Sequence, residues 1–200
     1  MGALGTTSYF TPCNSNSSGC SGTFTIDLAL ASNPSVAVAS TGTLHLAQPT
    51  GVGSAAACLG GGNVIFYSGD PGDWVFSGTT TITQGTWGAS GSARNLTVHV
   101  DPSNGTTQGL WWNLNFSTRQ VGQDMGVDVY TQAERAPFAS PGHPGIDISG
   151  DGRGCNTITG AFQVESIRWQ GSALKDFTAS FEQHCEGGTP ALRGCVHFEQ

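Results

Sequence analysis

GDGRGCNTITGAFQVESIRW, residues 150–169, and ALKDFTASFEQHCEGGTPALRGC, residues 173–195, decide the fold. They read as two strands joined by the turn Gln170-Gly171-Ser172, with Cys155 and Cys185 near their outer ends. In the second strand Phe177, Ala179, Phe181 and Cys185 alternate with Thr178, Ser180, Glu182 and His184. A period of two gives one dry face and one wet face. Folding at Gly171 brings the two sulfurs together, so a Cys155–Cys185 disulfide is expected. Parity slips once in the first strand. Phe162 and Val164 share a face, while Ile167 and Trp169 fall on the other. A bulge near Glu165 or Ser166 restores the pattern, and the same mismatch places Cys155 in the loop before its strand.

The same grammar extends outward. Phe24, Ile26, Leu28 and Leu30 alternate with polar or small residues, and Leu96, Val98 and Val100 do likewise. Leu110, Trp112, Leu114 and Phe116 form another alternating set. Gly69-Asp70-Pro71-Gly72, Asp101 to Gly105 and Ser140 to Pro144 punctuate the strands as turns. No stretch of ten residues has a helical period. About ten short strands with this punctuation predict an all-β fold, an antiparallel β-sandwich of jelly-roll type stapled by disulfides. Residues 1–21 read as a polar lead-in and 22–200 as a single β domain.

Composition bounds the setting. Only 10% of the 200 residues are charged, Gly accounts for 30, and the formal charge is −7 with seven Lys and Arg. Solubility then rests on hydroxyls and amides. Nucleic acid is excluded as a partner, because phosphate neutralisation needs clustered cations. Apolar runs fall far short of the ~18 residues of a membrane-spanning helix. Six cysteines with no C-x-x-C spacing favour disulfides over thiolate-bound metal, and with them a secreted or cell-surface location. Cys13–Cys20 is a local bridge by proximity, which leaves Cys58 and Cys195 for each other.

Three groups of side chains are candidates for chemistry. Asp147 and Asp151 in DISGDG, and Asp70 and Asp73 in SGDPGDW, offer carboxylates and tight glycine turns that suit calcium. Asp-Gly is equally a hairpin turn, and the terminal Glu of an EF-hand loop is missing. In the tryptophan strand, Trp111, Asn113 and Asn115 point away from the apolar set, beside Asn95, Thr97 and His99 of the preceding strand. An indole stacks on the C–H face of a sugar while amides bind its hydroxyls, so Trp111, Asn113, Asn115 and His99 form a candidate carbohydrate site. Glu182 and His184 share a strand face, with Glu186, His197 and, across the hairpin, Glu165 as further members. They would serve as a metal site, or as the acid and base of a glycan hydrolase or lyase if two carboxyls lie about 5–9 Å apart.

The order SGDPGDW, WWNLNF, YTQAERAPFASPGHPGIDISGDGRGCNTITGAF and FEQHCEGGTPALRG, over residues 62–195, resembles a domain of secreted bacterial proteins that occurs alone or beside other extracellular modules. The resemblance implies an extracellular single β domain, with the motif cysteines at Cys155 and Cys185, and supplies no catalytic residue. The combined expectation is an extracellular non-catalytic binding or adhesive module with a glycan as ligand. Two alternatives stand beside it: a structural surface or fibre subunit that self-associates through sheet edges, and a secreted hydrolase or lyase using Glu165, Glu182 and His184.

Overall fold

A computed structural model describes residues 20–30, 33–46, 53–102 and 111–200. The chain divides into two compact units, Met1–Thr50 and Gly51–Gln200. In the first, β1 (Cys20–Leu30) and β2 (Asn33–Leu46) form an antiparallel hairpin in register from Cys20↔Leu46 to Ala29↔Ala37. The expected Cys13–Cys20 bridge lies outside the described residues.

The second unit is a sheet of ten strands. In chain order these are β3 (Val64–Gly69), β4 (Gly78–Ile82), β5 (Thr86–Ser92), β6 (Asn95–Asp101) and β7 (Trp112–Ser117). They continue as β8 (Val129–Arg135), β9 (Gly145–Gly150), β10 (Ile158–Gln170), β11 (Ala173–Cys185) and β12 (Ala191–Glu199). The spatial order is β4-β3-β12-β11-β10-β8-β9-β7-β6-β5. The fold is all-β, as expected, with one departure from antiparallel pairing. β8 and β9 run parallel at Glu134↔Gly145 and Arg135↔Ile146.

One topological fact sets the curvature. β4 and β5 occupy opposite edges of the sheet, yet only residues 83–85 join them. Four Cα steps reach about 14 Å at most. A flat sheet would hold its edges about 43 Å apart, at nine spacings of ~4.8 Å. The sheet therefore curls until its halves face each other across one core. Trp112 of β7 stacks on Tyr67 of β3 with ring centroids 4.2 Å apart. Phe116 of β7 meets Phe177 and Phe181 of β11 at 5.3 and 6.5 Å. Gly150 lies against the Trp112 indole, and a Cβ there would collide with the ring.

The terminal hairpin follows the sequence reading closely. β10 and β11 pair from Ile158↔Cys185 to Gln170↔Ala173, with a register shift between Val164 and Ser166 that makes Glu165 the bulge residue. Gly171 takes φ +60 at the first central position of the two-residue turn, the place a type II′ hairpin reserves for glycine. Cys155 precedes β10 and is bonded to Cys185. A second disulfide joins Cys58 to Cys195 across 137 residues, a closure that stabilises by about 4–5 kcal/mol in the chain-entropy picture.

The wet face of β11 is not wet throughout. Thr178 and Ser180 are buried. The 3₁₀ turn Ala55–Cys58 packs on β11 and β12, and its Cys58 is tied to Cys195, the cross-strand partner of Ser180. The disulfide thus holds the Gly/Ala-rich loop over a face that alternation alone assigns to solvent.

Gln183 makes the opposite exception. It lies in the interior row with Phe181 and Cys185 and is fully buried. Its Oε1 accepts from the Ile148 amide at 2.8 Å, and its Nε2 donates to the Ile148 carbonyl at 2.9 Å. Replacing Gln183 with Leu keeps the bulk and strands both backbone groups, each costing roughly 1–3 kcal/mol. Denaturant melts of Gln183→Leu should show that combined loss. A variant as stable as the parent would remove Gln183 from its bridging role.

Candidate functional site

The outer face of β5, β6, β7 and β9 carries two cross-strand rows. The register aligns Gly88, His99, Asn113 and Ser149 in one, and Ser90, Thr97, Asn115 and Asp147 in the other. The opposite face holds Leu96, Val98, Leu114, Phe116, Ile146 and Ile148, all fully buried. Alternation thus produces a shelf of amides and hydroxyls four strands wide, about 14 Å across. The absence of a side chain at Gly88 leaves room for the His99 ring, whose Nδ1 would lie 2.8 Å from a Cβ placed there.

Trp111 lies just before β7, where its carbonyl accepts from the Asp151 amide at 3.1 Å. It is 41% exposed, against 3% for Trp112. His99 is exposed and Asn113 half-buried on the outer face, and Trp111 is exposed just ahead of it in the chain. Asn115 has a different job. Its Nδ2 donates to the Leu96 carbonyl at 3.0 Å and to Thr97 Oγ1 at 2.8 Å, tying β7 to β6. Asp147 receives Arg135 Nε at 3.1 Å, so the charge at the shelf's edge is balanced. Burial still pushes the Asp147 carboxyl above the ordinary aspartate range, and the Arg135 hydrogen bond and charge oppose that shift.

Three of the aspartates weighed as calcium ligands, Asp70, Asp73 and Asp147, have protein partners for their carboxylates, and Asp151 occupies a turn position. Asp151 and Gly152, at φ +52 and +74, are the two central residues of a type I′ turn closed between Gly150 and Arg153. Asp70 opens a turn in which its carbonyl accepts from the Asp73 amide at 3.0 Å, with Pro71 and the positive-φ Gly72 between, the signature of type II. Asp73 Oδ1 then accepts from the Val75 and Phe76 amides at 3.0 and 2.9 Å. Among the described residues, no three His, Cys, Asp or Glu side chains converge as the ligands of an ion would.

Glu182 and His184 do meet, within a larger chain of charges. Asp70 Oδ1 accepts from Arg193 Nη1 at 2.9 Å, and Arg193 Nε donates to Glu182 Oε2 at 2.6 Å. Glu182 Oε1 lies 3.0 Å from His184 Nε2, and His184 Nδ1 lies 3.1 Å from the Thr189 carbonyl. Both ring nitrogens face acceptors, so each bond needs a ring N–H. Hydrogen bonds from the Ala191 amide and from Arg193 hold the Asp70 carboxyl below the ordinary range.

The other proposed members lie elsewhere. Glu186 accepts from the Asn156 amide and from Thr157 Oγ1. His197 Nδ1 lies 2.7 Å from Thr178 Oγ1, which in turn bonds Ser166. Glu182 pairs with Ala161, four residues from Glu165. At ~3.3 Å per residue the backbone positions of the two glutamates are about 13 Å apart along the strand. Sequence reasoning did not single out Arg193, Arg135 or Trp74. The pairing Glu182↔Arg193 depends on the β11–β12 register, which no local pattern reveals. No protein-family model matches this chain, and neither does any curated protein or solved structure.

Glu165 yields a pH test. Burial pushes its carboxyl above the ordinary glutamate range, opposed by a hydrogen bond from Gln163. The folded protein therefore keeps a proton that the unfolded chain has already released. Stability should fall as pH rises from the ordinary glutamate range through the higher folded value, and level off above it. Glu165→Gln removes that decline, so the variant should melt higher than the parent at pH 7, with the gap closing as pH is lowered through the glutamate range. Thermal melts from pH 4 to 8 check this, and a variant that melts lower at pH 7 contradicts it.

Proposed function

We propose that the protein is an extracellular, non-catalytic binding module that takes carbohydrate on the polar shelf of β5, β6, β7 and β9. The carrying observation is the exposed Trp111 indole, just ahead of β7, on a sheet whose outer face is a charge-balanced surface of amide, hydroxyl and imidazole groups. An extended glycan presents the complementary chemistry, with C–H faces for the ring and hydroxyls for Asn113, His99 and Ser149. The Cys58–Cys195 and Cys155–Cys185 disulfides and a chain poor in charged residues support the extracellular setting. The likeness of GDGRGCN and FEQHCEGG to a domain of secreted bacterial proteins points the same way. Among the described residues, no helix is long and apolar enough to cross a membrane.

A glycan array probed with the protein and with Trp111→Ala tests the reading. The parent should be retained on a subset of glycans without releasing product. The variant should lose at least about twofold in affinity, the lower end of what an aromatic stacking contact supplies. Its melting should stay within about 1 kcal/mol of the parent, because the indole is already exposed. Absence of retention, or equal retention by the variant, overturns the proposal. Release of shortened glycan would favour the hydrolase or lyase reading instead.

A further inference from the structure

The two edge strands of the curled sheet, β4 and β5, lie in one stretch of chain. An edge strand presents a row of unpaired N–H and C=O groups, and natural proteins guard it with charges, proline or bulges. This stretch lacks the first two guards. No residue from 74 to 93 is charged, and none is proline. Among the described residues β4 pairs with β3 alone, residue for residue from Ile65↔Ile82 to Gly69↔Gly78, with no bulge. The two edges are not equal. β5 holds Gly88 and Gly91, the latter at φ +115, and glycine weakens a strand interior. β4 has three consecutive threonines, β-branched residues that suit a pleated surface. Thr79 and Thr81 are exposed, and Ile82, although it packs on the core, is only half-buried.

We infer that β4 pairs antiparallel with β4 of a second copy of this chain, about a two-fold axis at Thr80. Three features select a second copy as the occupant. Residues beside a two-fold axis meet their own copies, so a charge there would repel itself, and residues 74–93 hold none. Thr79 falls opposite Thr81 of the partner subunit, a cross-strand threonine pair of the kind that stabilises sheets. Ile82 falls opposite Gly78 of the partner subunit, and the space beside Gly78 is open, since a Cβ built there meets nothing within 4 Å. The half-covered isoleucine of each copy thus gains a neighbour where glycine leaves room. Such a contact is isologous and closes at two subunits. β4 takes no part in the shelf of β5, β6, β7 and β9, so the pairing holds or fails independently of carbohydrate binding.

Sedimentation equilibrium of the full chain measures the association. The parent should pass from monomer to dimer as its concentration rises through the micromolar range, and stop there. Thr79→Lys with Thr81→Lys sets like charges opposite each other twice across the axis, and should weaken the dimer about tenfold or more. Both positions are exposed, so the melting temperature in dilute solution should not change. This variant also moves the net charge from −7 toward zero, so general repulsion between copies cannot account for its loss. Thr79→Lys with Thr81→Glu sets opposite charges across the same axis, and should dimerise at least about tenfold more tightly than the like-charged variant. The contrast between the two tests the register, because both alter the same positions. A parent that stays monomeric through that range, one that grows past the dimer, or two variants that associate equally would overturn the proposal.

Discussion

The side-chain amide of Gln183 does for β9 what a neighbouring strand would do. β8 accompanies β9 only as far as Arg135↔Ile146, where the chain turns away through the 3₁₀ turn Ala136–Phe138. Beyond that point one edge of β9 has no strand beside it, although Ile148 is completely buried. Gln183 reaches it from β11 and presents one acceptor and one donor to the Ile148 amide and carbonyl. Its Nε2 also lies 3.5 Å from Cys155 Sγ. The amide therefore sits where the two halves of the curled sheet and the Cys155–Cys185 bridge come together. Buried backbone groups left unsatisfied are costly, and this side chain relieves that cost where β9 lies inside the fold. The shelf depends on that placement, because β9 contributes its outer column.

Much of this was legible in the residues. The period of two in β11, the slip at Glu165, the glycine at the turn and the position of Cys155 are all local facts, and local facts survive folding. The outward facing of His99 and Asn113 was equally legible, because alternation in β6 and β7 assigns each residue a face. Gln183 could have been noticed as the one long polar side chain in the interior row of β11. Its partner could not, since Ile148 is 35 residues away and meets it only through the curl.

What the residues conceal is strand order. Alternation says which side a residue faces, and it is silent on which strand stands next to it or what lies on top. Thr178 and Ser180 read as solvent-facing because nothing near them in sequence announces the loop pinned by Cys58. Arg193 reads as one of a few scattered cations until β12 is set beside β11 and β3. It then becomes the link between Asp70 and Glu182. In a chain with 10% charged residues, gathering three of them with His184 in one continuous network is a strong departure from the rest of the surface. Ion pairs at such exposure contribute little individually. What a network like this does supply is a defined arrangement of side chains at the ends of β11 and β12, next to the SGDPGDW turn.

The Cys58–Cys195 bond has a mechanical consequence. It joins the segment just before β3 to β12, and these two strands are neighbours in the sheet. A tensile load that enters the chain before residue 58 and leaves it after residue 195 passes directly from sulfur to sulfur. The intervening residues, which hold nine of the ten strands of this sheet whole and the first four residues of β12, carry none of that pull. Hydrogen-bonded ladders that would otherwise shear or unzip under force stay slack while the covalent shortcut is intact. Reduction of this one bond would convert an inextensible tether into one able to pay out more than a hundred residues of chain.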